Sequence, residues 1–368
     1  MKNLIFPLFF LTILSACTSK RHVPVGEKVA AELPAPVKPM IVEVASFTGA
    51  QVTGVTATGD GRLFASFPRW RKDVRYSVVE VLPDGSHRPY PNESWNKYQG
   101  KPQKNKFTCV QSVVAHAGSL FVLDPSSPMM EGVVGQAMVY EFDLSTNKLK
   151  NSWSFNATVA PKKSYLNDLR VDEQHRKIYI TDSGLGGIVV LDLASGKSWR
   201  VLDQHKSTKA ETVVLSVDKK NFLINGRAPK IHSDGIALSH AGDKLYYHAL
   251  TGYHLYSVPT EALLKSESPV ASDDVENLGK TPAPDGMIFD KKGNLFMADL
   301  EKNAVVYRTP DGTMKTLVQD ERIRWADTFT IDGDYLIFTD SLLQLAKPGA
   351  PVENLAFKIY KIALPEAL

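Results

Sequence analysis

The segment 284–299, with the sequence PDGMIFDKKGNLFMAD, decides the fold, because its pattern occurs six times along the chain. Each copy has a short apolar strand, a polar turn and a second apolar strand that often ends in Asp. The other copies are TGVTATGDGRLFASF from Thr53, QSVVAHAGSLFVLD from Gln111, LNDLRVDEQHRKIYITD from Leu166, SDGIALSHAGDKLYYHA from Ser233 and ADTFTIDGDYLIFTD from Ala326. Repeats about 40 to 70 residues apart, with several strands in each, are typical of a β-propeller.

The sequence therefore predicts an all-β, six-bladed β-propeller in which each repeat forms a four-stranded blade. In the third repeat, LNDLRVD, KIYITD, GIVVLDL and SWRVL read as four strands separated by turn residues. The sixth repeat has room for only three strands, the last of them at 357–364. We expect the N-terminal segment 41–47, IVEVASF, to complete this last blade, which would close the ring and leave no open sheet edge.

The composition fits one large folded domain at residues 40–368. Hydrophobic residues make up 43% of the chain and charged residues 23%, as in ordinary soluble proteins with a substantial core. The formal net charge is only +3, and the Lys and Arg residues are scattered, so we expect no nucleic-acid partner. A ring of blades is one closed unit, and we expect a monomer.

The segment before the propeller is expected to be a targeting region. Residues 4–14 form an apolar run too short to span a bilayer, and LSAC at 14–17 resembles a bacterial lipobox. The resemblance implies a signal peptide at 1–16 and a lipid-modified Cys17; the alternative is an ordinary cleavable signal with a coincidental cysteine. The Pro-rich segment 17–39 would then tether the propeller to a bacterial membrane outside the cytoplasm, on the periplasmic side or the outer membrane of a Gram-negative cell.

Four segments are too long to be simple turns between short strands: 91–108, 125–136, 203–232 and 343–354. We expect them to form a rim and lid on the propeller. Long loops on a rigid scaffold often carry binding residues, although any one of the four could be merely decorative.

The candidate binding residues stand at the start of the innermost strand of each blade, where one side chain per blade reaches the mouth of the central channel. Blades three to six provide Asn167, Asp168, Asp234, Asp285 and Asp327. Blades one and two provide only the uncharged Gln51 or Thr53 and Gln111. An alternative for each Asp is an Asx turn with its own backbone, as in Asp234-Gly235.

Several carboxylates around one axis must repel each other. Two of them about 6 Å apart repel by roughly 3 kcal/mol at an effective dielectric constant of about 20. Three ways of offsetting this repulsion are open: a hard cation such as Ca²⁺ or Mg²⁺, a protonated amine on a ligand, or the folding of Arg322 or Arg324 over the site. The sequence thus predicts an acidic mouth that binds a small molecule, a divalent cation, or both.

The phrase PDGMIFDKKGNLFMADLEKNAVVYR from Pro284 resembles a blade of the gluconolactonase and regucalcin-like six-bladed propellers. Their metal ion is held by an Asp, two Asn and a Glu. The resemblance implies that Asp285 is the metal-bound Asp and the general base, that Asn167 takes one Asn position, and that Asp234 replaces the second Asn. The Glu has no counterpart, because Gln51 or Thr53 stands at its place in the first blade.

The whole domain looks more like the bacterial branch of the major royal jelly and yellow protein family. The segments that carry this resemblance are CVQSVV from Cys109, SYLNDLRVD from Ser164, ITDSGLGGIVVLDLASGKSWRVL from Ile180, HSDGIALS from His232 and LYYHALTGYHLYSVPT from Leu245. The family shares the six-bladed propeller, and its insect members are secreted proteins, some of which bind small amines or lipids. This chain lacks the paired cysteines of the insect members.

Two functions from different classes follow. The first is a lipid-anchored extracytoplasmic binding protein that holds a small ligand, with or without a divalent cation, at the five side chains named above. The alternative is a metal-dependent lactonase, in which Asn167, Asp234 and Asp285 hold the cation and Asp285 activates water. The missing Glu favours binding over catalysis.

Overall fold

Six four-stranded antiparallel sheets make up the architecture, and they confirm the six-bladed β-propeller expected from the repeats. They belong to a computed structural model that describes Met1 and residues 40–264, 272–346 and 350–365. The chain divides into two units, Met1–Val37 and Lys38–Leu368, and the propeller lies in the second. Apart from Met1, the predicted signal peptide, Cys17 and the predicted tether 17–39 lie outside the described residues.

The blades follow one another along the chain, after a first strand β1 (Val42–Thr48). Blades 1 and 2 contain β2 (Gly54–Ala57), β3 (Leu63–Ser66), β4 (Val78–Val81) and β5 (His87–Pro89), then β6 (Ser112–His116), β7 (Ser119–Asp124), β8 (Ala137–Asp143) and β9 (Lys148–Phe155). Blade 3 contains β10 (Leu166–Asp172), β11 (Lys177–Asp182), β12 (Ile188–Asp192) and β13 (Ser198–Val201). The loop after it carries a small hairpin, β14 (Ser216–Val217) and β15 (Lys220–Asn221).

The second half of the ring repeats this arrangement. Blade 4 contains β16 (Ser233–Leu238), β17 (Lys244–Ala249), β18 (His254–Pro259) and β19 (Glu276–Lys280). Blade 5 contains β20 (Met287–Phe289), β21 (Leu295–Asp299), β22 (Ala304–Arg308) and β23 (Met314–Gln319), and blade 6 contains β24 (Ala326–Asp332), β25 (Tyr335–Asp340), β26 (Ala356–Ala363) and β1. The helices of the described residues are short: α1 (Glu93–Asn96), α2 (Thr260–Leu263) and 3-10 turns at Pro128–Met130, Lys206–Thr208 and Ser272–Asp274.

The apolar residues of the repeat pattern pack between neighbouring blades. In blade 3, β11 pairs with β12 so that Ile180 stands opposite Val189, and both side chains are fully buried. They pack against Leu123 and Val139 of blade 2 in one cluster. Because strands of a blade bury both faces against neighbours, their central residues are apolar almost without alternation, as in the run IVVLD.

The ring is closed by the N-terminal strand, as the sequence predicts. β1 pairs antiparallel with β26, the third strand of blade 6, and Phe47 stands opposite Phe357. Phe47 also contacts Phe67, which follows β3 of blade 1, with ring centroids 4.9 Å apart. The strand therefore joins the last blade to the first, and the ends of the domain hold each other in place.

The Asp that ends several of the repeats fixes the residues just before the innermost strand of its blade. Asp182 is fully buried and accepts hydrogen bonds from the backbone N–H of Tyr165 at 2.9 Å and the hydroxyl group of Ser164 at 2.6 Å. Asp340 accepts a hydrogen bond from the backbone N–H of Trp325 in the same way. These carboxylates satisfy backbone groups that the sheet leaves unpaired.

Glycine is required where the innermost strands of neighbouring blades approach most closely. A Cβ atom on Gly235 in blade 4 would lie 2.5 Å from the carbonyl oxygen of Asp285, and one on Gly286 would lie 1.9 Å from the carbonyl oxygen of Asp327. The glycine of each Asp-Gly pair in blades 4 and 5 therefore allows the next innermost strand to approach closely. The side chains of Asp234 and Asp285 form hydrogen bonds to other strands and loops, so the Asx-turn alternative does not describe them.

The described residues contain no helix that is long and apolar enough to span a membrane. The long segments 91–108, 125–136 and 203–232 lie outside the blades, and the described part of 343–354 does so too.

Candidate ligand site at the mouth of the channel

A cavity of about 570 Å³ lies at the end of the channel where the innermost strands begin. Its floor is formed by the first residues of those strands, and its walls come from three of the four long segments. Met130 belongs to 125–136, Ile231 to 203–232 and Leu343 to 343–354. The fourth segment, 91–108, does not line this cavity. The structure thus places most of the expected rim around the expected site.

The floor of the cavity brings together four of the predicted residues: Asn167, Asp234, Asp285 and Asp327. All four side chains are buried. The Asn167 amide donates a hydrogen bond to Oδ1 of Asp234, across the boundary between blades 3 and 4. The indole N–H of Trp325 donates to Oδ2 of Asp285 at 2.6 Å. The floor therefore brings together buried polar side chains from four successive blades.

Burial raises the pKa values of the three carboxyl groups on this floor. The pKa of Asp285 rises to about 7, mainly through burial, while the hydrogen bond from Trp325 opposes the rise. Burial and the charge of Asp285 raise the pKa of Asp234 and that of Asp327 well above the ordinary value of 3.8. When protonated, Asp234 donates a hydrogen bond to Asp285, so the pair holds a proton near neutral pH.

Of the five binding residues predicted in blades three to six, Asp168 does not line the cavity. In the repeat, Asn167 occupies the place of Asp234, Asp285 and Asp327, so Asp168 stands one residue further along its strand, at the place of Gly235. Successive side chains of a strand point in opposite directions, which directs Asp168 away from the cavity. It is buried, and burial raises its pKa, while the charge of Arg170 and a hydrogen bond from Ser112 oppose this.

Blades 1 and 2 contribute to the site unequally. Gln111 lines the cavity, whereas Gln51 and Thr53 do not. The Gln51 amide donates to the carbonyl oxygen of Ser341 at 3.0 Å and accepts a hydrogen bond from Arg71 at 2.9 Å. The first blade, where the lactonase-like propellers would place a Glu, thus presents a neutral amide that is already committed to two partners.

Arg322 and Arg324 do not fold over the site. The expectation that one of them offsets the carboxylate repulsion is therefore wrong. Arg322 forms an ion pair with Asp320 at 2.8 Å, and Arg324 is paired with Asp218. Neither lines the cavity. The positive charge that would offset the acidic floor is therefore left to Lys162 and Lys163, which line the cavity, or to a ligand, a cation or a retained proton.

The walls contain aromatic residues that the sequence reasoning missed. The Trp70 indole donates to the Tyr165 hydroxyl at 2.6 Å, and that hydroxyl donates to Oε1 of Gln111 at 2.8 Å. Trp325 does not line the cavity, but its indole N–H donates to Asp285 on the floor and its ring packs against Phe222 with centroids 4.9 Å apart. Tyr165 and Trp325 both stand directly before an innermost strand, so their common place in the repeat could have revealed them.

The floor has the chemistry of a hard-cation site but few donors. Asp234, Asp285 and the Asn167 amide supply oxygen atoms of the kind that Ca²⁺ and Mg²⁺ prefer. Across residues 40–264, 272–346 and 350–365, no group of three or more His, Cys, Asp or Glu side chains is arranged to hold a metal ion. The floor can offer a cation these three donors, and further ligands would have to come from water or from a bound molecule.

The fold and the cavity define a six-bladed β-propeller with an acidic cavity at one mouth of its channel. The chain belongs to the major royal jelly protein family, whose sequence profile matches residues 110–366. Major royal jelly protein 6 of Apis mellifera is a relative, 22% identical over 228 residues. The match covers 59% of this chain and 50% of the bee protein, so the chain spans about half the length of that curated relative.

Solved structures of several enzymes and binding proteins share the fold. A luciferin-regenerating enzyme matches with a TM-score of 0.55 and 14% identity over 88% of this chain and 95% of its own. A gluconolactonase from Xanthomonas campestris matches with a TM-score of 0.55 and 14% identity over 89% and 90%. A calcium-binding regucalcin from Agrobacterium tumefaciens matches with a TM-score of 0.51 and 14% identity over 86% and 92%. These similarities confirm the expected relationship at the level of the fold alone.

The raised pKa of Asp285 predicts a pH-dependent stability of the ligand-free protein in the presence of chelator. The unfolded state releases this proton near the ordinary value of 3.8 and the folded state only near 7. Stability should therefore fall as pH rises through this window, because the unfolded state then binds fewer protons than the folded one. We expect the Asp285→Asn variant to be increasingly more stable than the wild type from pH 4 to pH 8, measured by urea unfolding.

The matched control is Asp334→Asn, which removes an exposed carboxylate from the turn between β24 and β25. The stability difference between this variant and the wild type should not change with pH over the same range. If the stability difference between Asp285→Asn and the wild type is also independent of pH, the fold does not hold the Asp285 carboxyl group in its protonated form.

Proposed function

We propose that the protein binds a small ligand in the cavity at the channel mouth, through a positive charge that rests on the acidic floor. The observation that carries this proposal is the combination of buried carboxyl groups below with apolar and aromatic walls above. Asp234 and Asp285 lie on the floor, and Trp70, Tyr165 and Ile231 are on the walls. Apolar pockets with a few convergent polar groups are the usual form of small-molecule sites.

Electrostatics favours a cationic group over a neutral one at this place. A unit positive charge about 4 Å from a carboxylate gains roughly 4 kcal/mol at an effective dielectric constant of about 20. The charge can be a protonated amine on the ligand or a divalent cation that the ligand helps to hold. The fold shared with a calcium-binding regucalcin supports the second form, and the apolar walls support the first.

Cation binding can be tested on the propeller domain, residues 40–368, by thermal unfolding and calorimetry. We expect Ca²⁺ or Mg²⁺, or phenethylammonium as an organic cation, to raise the melting temperature. The Asp285→Ala variant should lose at least about tenfold in affinity, because it removes a carboxylate from direct contact with the charge. The Asp334→Ala variant, changed at an exposed position, should bind as the wild type does.

Two results would contradict the proposal. One is the absence of a shift with both inorganic ions and with phenethylammonium. The other is equal binding by the wild type and the Asp285→Ala variant, which would place the cation elsewhere on the protein.

A metal-dependent lactonase is the second candidate function, and the pKa of Asp285 favours it. A carboxyl group with a pKa of about 7 can accept a proton from water at neutral pH. Trp325 holds Oδ2 of Asp285 at 2.6 Å and so fixes the orientation of the base. A bound divalent cation would polarise the ester carbonyl group of the lactone. Asn167 and Asp234 would hold that cation, and the fold shared with a gluconolactonase supports this reading.

Hydrolysis of a lactone panel tests the enzymatic alternative. We expect turnover that depends on added Ca²⁺ or Mg²⁺, stops with chelator, and falls at least about a hundredfold in Asp285→Asn, since the general base is lost. A Trp325→Phe variant should retain the metal dependence but shift the pH profile to higher pH, because Asp285 loses the hydrogen bond that stabilises its anion. No metal-dependent turnover on any lactone would leave binding as the function.

We further propose that the propeller is anchored through lipid on Cys17 to the outer side of a bacterial membrane. The support is the sequence LSAC at 14–17 after an apolar run. Attachment through more than one acyl chain gives stable anchoring, whereas a single chain is marginal.

The full-length protein, made in a Gram-negative host, should sediment with the membrane fraction and enter the detergent phase on phase separation. We expect the Cys17→Ser variant to lose both properties. Cys109→Ser is the matched control, because Cys109 is a buried thiol of the propeller and should play no part in anchoring. Sedimentation of Cys17→Ser with the membranes would rule out the anchor.

A further inference from the structure

A second cavity, of about 270 Å³, lies at the far end of the channel, away from the acidic floor. It is lined by the later residues of the innermost strands, and all six blades contribute: Val55, Val113, Arg170, Ala237, Ile288 and Phe329. The acidic floor is formed by the first residues of these same strands. The two cavities are therefore opposite ends of one channel, and they differ in charge.

The wall of this far cavity is mixed, because Thr56, Thr328 and Thr330 line it together with apolar side chains. Leu238, Ile288, Phe289 and Ile331 all line it and retain exposed surface. These side chains pack against the hydrophobic clusters of the blades on one side and face the cavity on the other. Covering their exposed surface with an apolar group gains free energy.

Among the described residues, Arg170 provides the only charged side chain in the lining. Its guanidinium donates to the carbonyl oxygens of Leu169 at 2.6 Å and Met287 at 2.8 Å. These hydrogen bonds use two of the five N–H donors of the group. In the part of the chain that the structure describes, no carboxylate lies within the ion-pair distance of 4.0 Å.

The charge of Arg170 is thus held by the channel without a direct counterion. Burial lowers the pKa of the guanidinium, and the charge of Asp168, two residues earlier on the same strand, opposes this. Asp168 is the acidic side chain next to Arg170 on its own strand, whereas Asp234, Asp285 and Asp327 belong to the floor of the other cavity. A cation enclosed in a poorly solvated place is best stabilised by an anion with which it forms hydrogen bonds.

We propose that the far end of the channel is a second binding site, which takes a small organic anion with its carboxylate on Arg170 and its apolar body against the wall. The planar guanidinium suits a carboxylate, which can accept two parallel hydrogen bonds. An apolar cavity of roughly 150 Å³ holds one benzene molecule. A cavity of about 270 Å³ therefore has room for a ring that carries a carboxylate. This site is independent of the function proposed for the channel mouth.

Isoleucine methyl groups report on both ends of the channel in one NMR experiment. Ile288 and Ile331 line the far cavity, and Ile224 and Ile231 line the cavity at the mouth. With ¹³C-methyl-labelled isoleucine in the propeller domain, benzoate should shift the signals of Ile288 and Ile331 saturably and leave those of Ile224 and Ile231 unchanged. Benzamide, which has the same shape without the charge, should bind at least about tenfold more weakly.

Variants separate the charge from the cavity. Arg170→Met should weaken benzoate binding at least about tenfold. The affinity of Arg170→Lys should lie between those of Arg170→Met and the wild type, because lysine keeps the charge but lacks the planar guanidinium. Ala115→Leu extends a side chain that lines the far cavity and should block benzoate while leaving Arg170 in place. The Ala115→Leu variant therefore tests the far site even if Arg170→Met does not fold.

Three outcomes would overturn the second site: no saturable shift at Ile288 and Ile331, equal affinities for benzoate and benzamide, or unchanged benzoate binding in both Arg170→Met and Ala115→Leu. Benzylamine, added separately, reports on the other end. Shifts at Ile224 and Ile231 alone would support the function proposed for the channel mouth. If benzylamine causes no shift at Ile224 and Ile231, this counts against the mouth site. The far site is still decided by the benzoate result.

Discussion

Closing six sheets into a ring brings the starts of six innermost strands to one axis, and this convergence governs both the packing and the chemistry of the protein. Side chains there meet their counterparts from other blades and are buried. Gly235 and Gly286 show how narrow that space is, since a single added carbon atom would collide with the next strand. Polar groups placed at this position must therefore satisfy one another or bind something.

In this chain the converging groups of blades 4 to 6 are carboxyl groups, and the loops contact the residues that orient them. Asp340 fixes the backbone of Trp325, and the Trp325 side chain in turn holds Asp285. Phe222 of the long segment 203–232 packs on the same indole ring. The loop that forms part of the cavity wall is thus in contact with the group that orients the acidic floor. Substitutions in that loop should therefore alter the environment of Asp285 even where the substituted residue does not contact Asp285.

The repeats made the fold and part of the site predictable, because both are periodic. Strand positions, closure by the N-terminal strand and the convergence of Asn167, Asp234, Asp285 and Asp327 all follow from one aligned pattern. Two adjacent polar residues, Asn167 and Asp168, share the start of β10, and the sequence alone does not separate their directions; Asn167 lines the cavity and Asp168 does not. The partners of Gln51, Arg322 and Arg324 were not predictable, since they depend on contacts between distant segments. The sequence does not predict the far cavity, because no single residue of its lining is unusual.

The first blade explains why the acidic floor differs from that of the lactonase-like propellers. There the sequence resemblance calls for a Glu, but Gln51 is neutral and is held by Arg71 and Ser341. A cation on this floor would still meet two carboxylates, but both would come from blades 4 and 5, Asp234 and Asp285, and none from blade 1. The open side would face Gln111, Tyr165 and the apolar walls instead of a further anion. A ligand that brings its own charge and fills this side with its body is therefore better matched to the cavity than a bare ion.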